Sequence, residues 1–122
     1  MEELEMINYR IIEDKEELAR KLAYWEFKNK TFTFTYGYFD VIDKEKLEFL
    51  AQAADGVNRL LVGIYSDRMA EAAGVKLNHS ERDRAQILAS LRFVNIVIIL
   101  DKPADEAVKE LNPTKVVPNS KL

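Results

Sequence analysis

Two short, unbroken apolar runs, Leu60-Leu-Val-Gly-Ile64 and Ile96-Val-Ile-Ile-Leu100, constrain the fold of this chain more than anything else in it. A strand with one wet face alternates apolar and polar residues. These two do not, so both of their faces must be covered. Strands at 59–64 and 95–100, separated by segments of helical spacing, satisfy that demand as parallel neighbours joined by covering helices.

The remaining elements fit the same plan. Thr31-Phe-Thr-Phe-Thr35 has the β-branched and aromatic composition of a strand, and Lys115-Val-Val117 is a short last one. Helices are expected over 13–28, from Asp43 towards Gly56, over 66–73, over 81–92 and over 104–111. The first of these places Trp25 on a stripe facing the sheet, and the fourth turns Ile87, Leu88 and Leu91 inward. Pro103 suits the first turn of the last helix and Asn112-Pro113 its end. The order α-β-α-β-α-α-β-α-β, with right-handed crossovers, predicts an α/β, doubly wound, Rossmann-like parallel sheet of four to five strands with helices on both faces. Residues 1–122 form a single domain, with 1–30 as a helical lead-in.

Composition removes several classes of function. The chain is 48% hydrophobic and 32% charged with a formal net charge of −3, which suits a folded domain and gives no expectation of nucleic-acid binding. It contains no cysteine, so thiolate catalysis and Cys-type zinc sites are excluded. No run approaches the roughly 20 apolar residues of a bilayer span, and the acidic start is unlike a secretory signal. A cytoplasmic location without membrane association is therefore expected. The single histidine, His79, has no surrounding ligand pattern, and no metal site is expected.

Between the first strand and its helix lies Tyr36-Gly37-Tyr38-Phe39-Asp40. A strand, a glycine turn and a helix N-terminus are the parts with which α/β proteins hold phosphate. The helix itself opens on Asp43-Lys44-Glu45-Lys46, with Leu47, Leu50, Ala51 and Ala54 at helical spacing. An Asp at the cap accepts, through its carboxylate, the hydrogen bonds of the N–H groups that an anion would otherwise take. Lys44 and Lys46 can offset part of the resulting negative charge as point cations.

Tyr36-Gly-Tyr-Phe-Asp40 resembles the Gly-x-Phe-Asp signature of the cytidylyltransferase-like nucleotidyltransferases. Val62-Gly-Ile-Tyr-Ser-Asp67 is similar to that family's second-strand turn, and Arg84 with Leu88 and Leu91 to its arginine-bearing helix. The likeness runs from about Ile11 to Val117 and is nearest to the adenylyltransferase half of bacterial ADP-heptose synthases. It implies nucleotide-binding roles for Tyr36, Gly37, Tyr38, Phe39, Asp40, Ser66, Asp67 and Arg84. A homodimer is also implied, and Tyr36, Tyr38, Phe49 and Tyr65 are the aromatics expected near its interface. An active member would use CTP or ATP with Mg2+. Lys76 stands near the position of a phosphate-binding lysine in the resembled family.

Two departures oppose activity. The family's His-x-Gly-His motif, whose imidazoles neutralise the departing pyrophosphate, is replaced here by Asp43-Lys-Glu-Lys46. The family also continues past the fourth strand into a Ser/Thr-rich helix, and Pro118-Asn-Ser120 lacks the Lys-Gly-Gly run of the synthases, so part of the nucleotide wall is expected to be absent. Three readings stay open. The first is a degenerate nucleotidyltransferase-fold protein with a binding, regulatory or assembly role. The second is an active enzyme transferring a nucleotidyl group to a phosphorylated sugar or polyol, with Lys44, Lys46 or Arg84 as catalytic candidates. The third is a structural interaction protein. Arg84 could instead make a helix-surface ion pair with Glu81 or Asp83.

Overall fold

The computed structural model of the protein describes residues 2–118. Its elements are α1 (Glu3–Tyr9), α2 (Lys15–Phe27), β1 (Phe32–Gly37), α3 (Lys44–Ala53), β2 (Arg59–Tyr65), α4 (Asp67–Ala72), α5 (Glu81–Ala89), β3 (Ile96–Leu100), α6 (Ala104–Leu111) and β4 (Lys115–Val117). The strands form one sheet in the order β3-β2-β1-β4, with all three pairings parallel. The expected doubly wound α/β architecture is what forms, with four strands among the described residues.

The apolar runs are explained by the two layers that cover them. Leu60, Val62, Ile64 and Val97 pack with Leu50 and Ala53 of α3 and with Ala85, Leu88 and Ala89 of α5. Their strand neighbours point the other way, as successive side chains must. Phe32, Phe34, Leu61, Ile96, Ile98 and Leu100 pack with Trp25 of α2 and Ala107 of α6. The expected inward stripe of α2 is realised in Trp25, whose ring lies 5.7 Å from that of Phe32. Outside β3, the Val97 N–H donates to the Arg10 carbonyl and the Ile12 N–H to the Val97 carbonyl. That pairing protects an edge which would otherwise be free to pair with another chain.

Local differences from the sequence reading have physical causes. Within the helical lead-in of 1–30 the sequence places a helix only over 13–28, and α1 is an additional one before it. It buries none of its residues fully and touches the core only through partly buried Ile7, so its acidic pattern hides it. Helix α5 stops at Ala89 rather than Arg92, because Ser90 caps it and the chain turns to drop Val94 into the core. Ile87 faces outward, 43% exposed, because Arg84, Ala85, Leu88 and Ala89 form the inward face of the helix. Helix α3 ends at Ala53, short of Gly56, and its inward residues are Leu50 and Ala53 while Leu47 and Ala51 are exposed. Residues 119–122, which carry most of the expected C-terminal departure, lie outside the described residues.

Gly63 of β2 sits where a Cβ would collide with side chains of the neighbouring strands β3 and β1. A Cβ there would lie 2.8 Å from Leu100 Cδ1 and 3.0 Å from Phe34 Cε1. Both neighbours are buried, so neither can swing into solvent. Gly63→Ala is expected to destabilise by about 1–3 kcal/mol, the usual cost of overpacking. Chemical denaturation with an unchanged slope and a lowered midpoint is the expected result.

Candidate functional site

The winding of the sheet reverses between β1 and β4, and in doubly wound sheets the crevice for ligands opens at the carboxyl ends of the strands there. In this chain that end holds the loop after Gly37, the start of α3, the β2-to-α4 turn and the loop before α5.

The loop is held by three anchors. Phe39 has φ of +51°, a conformation that an aromatic residue adopts only when its surroundings impose it, at a cost of about 1–3 kcal/mol. Its ring is buried in the α3/α5 layer. The preceding Tyr38 carbonyl accepts from Arg84 Nη1 at 2.9 Å. The following Asp40 carboxylate accepts from the backbone N–H groups of Asn78 and His79, each at 2.9 Å in its shorter contact. Desolvation would raise the Asp40 pKa, but those N–H donors outweigh it and hold it below the ordinary carboxylate value.

Arg84 is the centre of this end of the molecule. It is fully buried. Its Nη1 also donates to the Tyr65 carbonyl at 2.8 Å, its Nε to the His79 carbonyl at 3.1 Å, and its Nη2 to Asp67 Oδ1 at 2.8 Å. The expected helix-surface pair with Glu81 or Asp83 is therefore replaced by a pair with Asp67. The reason lies in the spacing: Arg84, Ala85, Leu88 and Ala89 share the inward face of α5. His79 contributes backbone groups to these contacts while its side chain stays exposed, and Lys76 is exposed as well.

The helix starts that face the crevice are met by the chain's own groups. Asp43 caps α3, its Oδ1 accepting from Lys46 N–H at 3.0 Å. Its Oδ2 lies 3.5 Å from Lys46 Nζ, and the backbone N–H of Lys46 is the main cause of its lowered pKa. Lys44 extends to Glu48 at 3.6 Å. Ser66 caps α4 through Met69 N–H, and Glu81 accepts the Asp67 N–H at 2.9 Å. The Ser66 hydroxyl also donates to Asp101 Oδ1 at 2.7 Å, where Arg68 Nε donates at 2.9 Å. Arg68 first and Ser66 second hold the Asp101 pKa down.

Beside these groups the rings of Tyr36, Tyr38 and Tyr65 form one partly buried patch, with centroids 5.1 Å apart for Tyr38 and Tyr65 and 6.3 Å for Tyr36 and Tyr65. Burial chiefly raises the Tyr65 phenol, while the Ala104 N–H at the start of α6 opposes that shift. Phe49 does not join them; it packs on the α3/α5 layer. Glu81 and Asp101 were not anticipated as members of this region. Asp101 was findable, because it directly follows an apolar strand at the end where such folds place polar groups. Among the described residues no group of three or more His, Asp or Glu side chains lies close enough to hold a metal ion.

Replacing Arg84 by Met would leave the Tyr38 and Tyr65 carbonyls buried without donors. Each such group costs about 1–3 kcal/mol, so Arg84→Met is expected to destabilise by roughly 2–5 kcal/mol. Thermal or urea unfolding measures it. A second expectation concerns pH. The folded pKa of Asp40 lies below its unfolded value near 3.8, so its stabilisation is complete above that value and is lost as pH falls through the folded pKa. Stability measured from pH 5 towards pH 2 should therefore fall less steeply in Asp40→Asn than in the unaltered protein.

No protein-family model matches the sequence. Curated relatives do. The chain is 32% identical over 104 residues to "Bifunctional protein HldE" of a Bradyrhizobium species, an alignment covering 84% of this chain and 21% of that protein. The namesake from Campylobacter curvus is 34% identical over 110 residues, covering 87% of this chain and 23% of that protein. The chain thus spans about a fifth of the length of the curated relatives it matches. Its fold is also that of a lipopolysaccharide core biosynthesis protein from Thermoplasma volcanium, with a TM-score of 0.57 at 17% identity over 75% of this chain and 98% of that one. The chain is a distant homologue of the proteins named Bifunctional protein HldE, over a limited region of their length.

Proposed function

We propose that this chain is a nucleotidyltransferase-fold domain that has lost nucleotidyl transfer and serves in nucleotide binding, regulation or assembly. The observation that carries the reading is the Asp43 cap on α3, whose carboxylate takes both the Lys46 N–H and the Lys46 ammonium. Transfer requires the α-phosphate in line with its acceptor and the charge of the departing pyrophosphate neutralised. In the resembled enzymes two imidazoles and this helix start meet that charge. Here a carboxylate stands at the cap, and the helix start has its internal partner already.

The relationship to a nucleotidyltransferase domain is supported by the HldE homology together with Tyr36–Asp40, Ser66-Asp67 and Arg84 in the family's order. Nucleotide contacts at Tyr36, Gly37, Tyr38, Phe39, Asp40, Ser66, Asp67 and Arg84 belong to this proposal. Tyr36 and Tyr38 are the residues of that set best able to offer ring surface to a base, because Phe39 and Arg84 are buried in the scaffold. Mg2+ would arrive on the phosphates of CTP or ATP as part of the substrate, supplying charge neutralisation there. We extend the proposal to a homodimer in which Tyr36, Tyr38 and Tyr65 lie at or near the contact, since aromatics are enriched in interface cores.

Losing one charge-stabilising donor typically costs about 10²–10³ in rate, so losing two predicts a deficit on the order of 10⁴ or more. A coupled pyrophosphate assay with CTP or ATP, Mg2+ and sugar or polyol phosphates is expected to show no release. Steady turnover near about 1 s⁻¹, an ordinary enzyme rate, would overturn the reading and place Lys44, Lys46 or Arg84 in the lost role. Sedimentation should report about twice the 14.1 kDa chain mass. A species at the single-chain mass at tens of micromolar protein would refute the dimer.

A further inference from the structure

The amino ends of the strands carry a second concavity, on the opposite side of the sheet from the crevice described above. It is a cavity of about 570 Å³ lined by Lys21, Tyr24, Trp25, Lys28, Lys30, Arg59 and Asn95. Lys30 precedes β1, Arg59 opens β2 and Asn95 precedes β3, so the three strand entrances frame it. Four of its seven lining residues are cations and none is acidic. None of those four cations takes part in an ion pair among the described residues. This concentration occurs in a chain whose formal charge is −3.

The frame is rigid where it matters. Lys30 N–H donates to the Trp25 carbonyl at 2.8 Å and Arg59 N–H to the Thr31 carbonyl at 2.8 Å. Asn95 is tied twice to Leu60, its N–H to the Leu60 carbonyl at 2.9 Å and its Oδ1 to the Leu60 N–H at 2.8 Å. The carbonyl end of α2 favours cations nearby, but a helix terminus carries only about half an elementary charge and cannot balance four. Glu17 lines a neighbouring groove shared with Lys21 and Tyr24 but not this cavity. Tyr24 presents a ring that is 54% exposed, with Lys28 Nζ 5.9 Å from its centroid.

We infer that this cavity is a binding site for a small ligand bearing a diphosphate or longer phosphate chain. Lysines bind phosphate as point charges, and Arg59 adds a planar fork matched to two phosphate oxygens. The volume suits a small molecule rather than a nucleic-acid duplex. The site lies at the other end of the sheet from the proposed nucleotide crevice and does not depend on it.

Titration calorimetry with inorganic pyrophosphate, and separately with ATP, tests the inference on the full chain. Pyrophosphate is expected to bind with a Kd below about 1 mM at low salt and to weaken as salt screens the cations. Lys28→Gln and Arg59→Gln should each weaken it about tenfold or more without changing the melting temperature, whereas Lys46→Gln at the crevice should leave it unchanged. Tyr24→Leu separates the sources of the phosphate. Loss confined to ATP assigns a nucleotide to the site, and equal binding of both ligands in that variant assigns a free or aliphatic diphosphate. Absence of pyrophosphate binding, or binding unaffected by Lys28→Gln and Arg59→Gln, overturns the inference, as does binding abolished by Lys46→Gln.

Discussion

A buried guanidinium organises the carboxyl end of this sheet. A cation taken out of water costs several kcal/mol unless its protons are accepted in place. Arg84 meets that condition through the carbonyls of Tyr38, Tyr65 and His79 and the carboxylate of Asp67. These four acceptors come from the ends of β1 and β2, the first residue of α4 and the loop before α5. One side chain therefore fixes the relative position of every segment that borders the crevice except the start of α3. Only arginine presents several donors in a fixed plane, so a lysine could not hold four acceptors in these directions. The strained backbone at Phe39 is tolerable because Arg84 on one side and Asp40 on the other leave it no alternative.

The same economy extends to the helix starts. In folds that bind phosphate, the N–H groups at a helix start and the crevice cations are left for the ligand. Here Asp43 serves α3, Ser66 and Glu81 serve α4, and Ser80 serves α5. Each contact lowers the free energy of the empty protein and reduces what a bound anion could gain. Asp40, Asp43 and Asp101 all have pKa values held below the ordinary range by such donors or by Arg68. Each of these carboxylates is thus already engaged within the chain, Asp43 by Lys46, Asp101 by Arg68 and Asp40 by backbone N–H groups.

The sheet was legible because its signal is redundant. Leu60–Ile64 and Ile96–Leu100 can only be strands covered on both faces, and the layers supply that cover. Caps at Asp43 and Ser66 were legible for the same reason, since a short polar side chain before an apolar helix has one inexpensive use. Arg84 was less so. Its place in the motif order suggested a ligand contact, while its charge suggested the surface. Only its spacing with Ala85, Leu88 and Ala89 hinted that α5 turns it inward. The helix α1 was invisible because it has almost no apolar face to read. The cluster of Lys21, Lys28, Lys30 and Arg59 was invisible for another reason: those residues are scattered over 39 positions of sequence and meet only when parallel strands bring their amino ends together.

That geometry lets the two ends of the sheet carry different polar groups. At the carboxyl ends, carboxylates and hydroxyls occupy the helix starts. At the amino ends, four cations without acidic partners line one cavity. Parallel strands make such a separation easy, because every strand presents the same terminus to the same side. The scaffold does not require the separation: the core clusters lie between the two ends and contain none of these charges except through Arg84's neighbours. Exposed charges at either end, unlike buried Arg84, can thus change while the sheet persists. An anion-binding helix start is less stable when empty than one with its own cap, so exchanging the first for the second strengthens the fold as it weakens the site. The Asp43–Lys46 contact is a helix start of the second kind: its cap strengthens the fold and lowers what an anion bound there could gain.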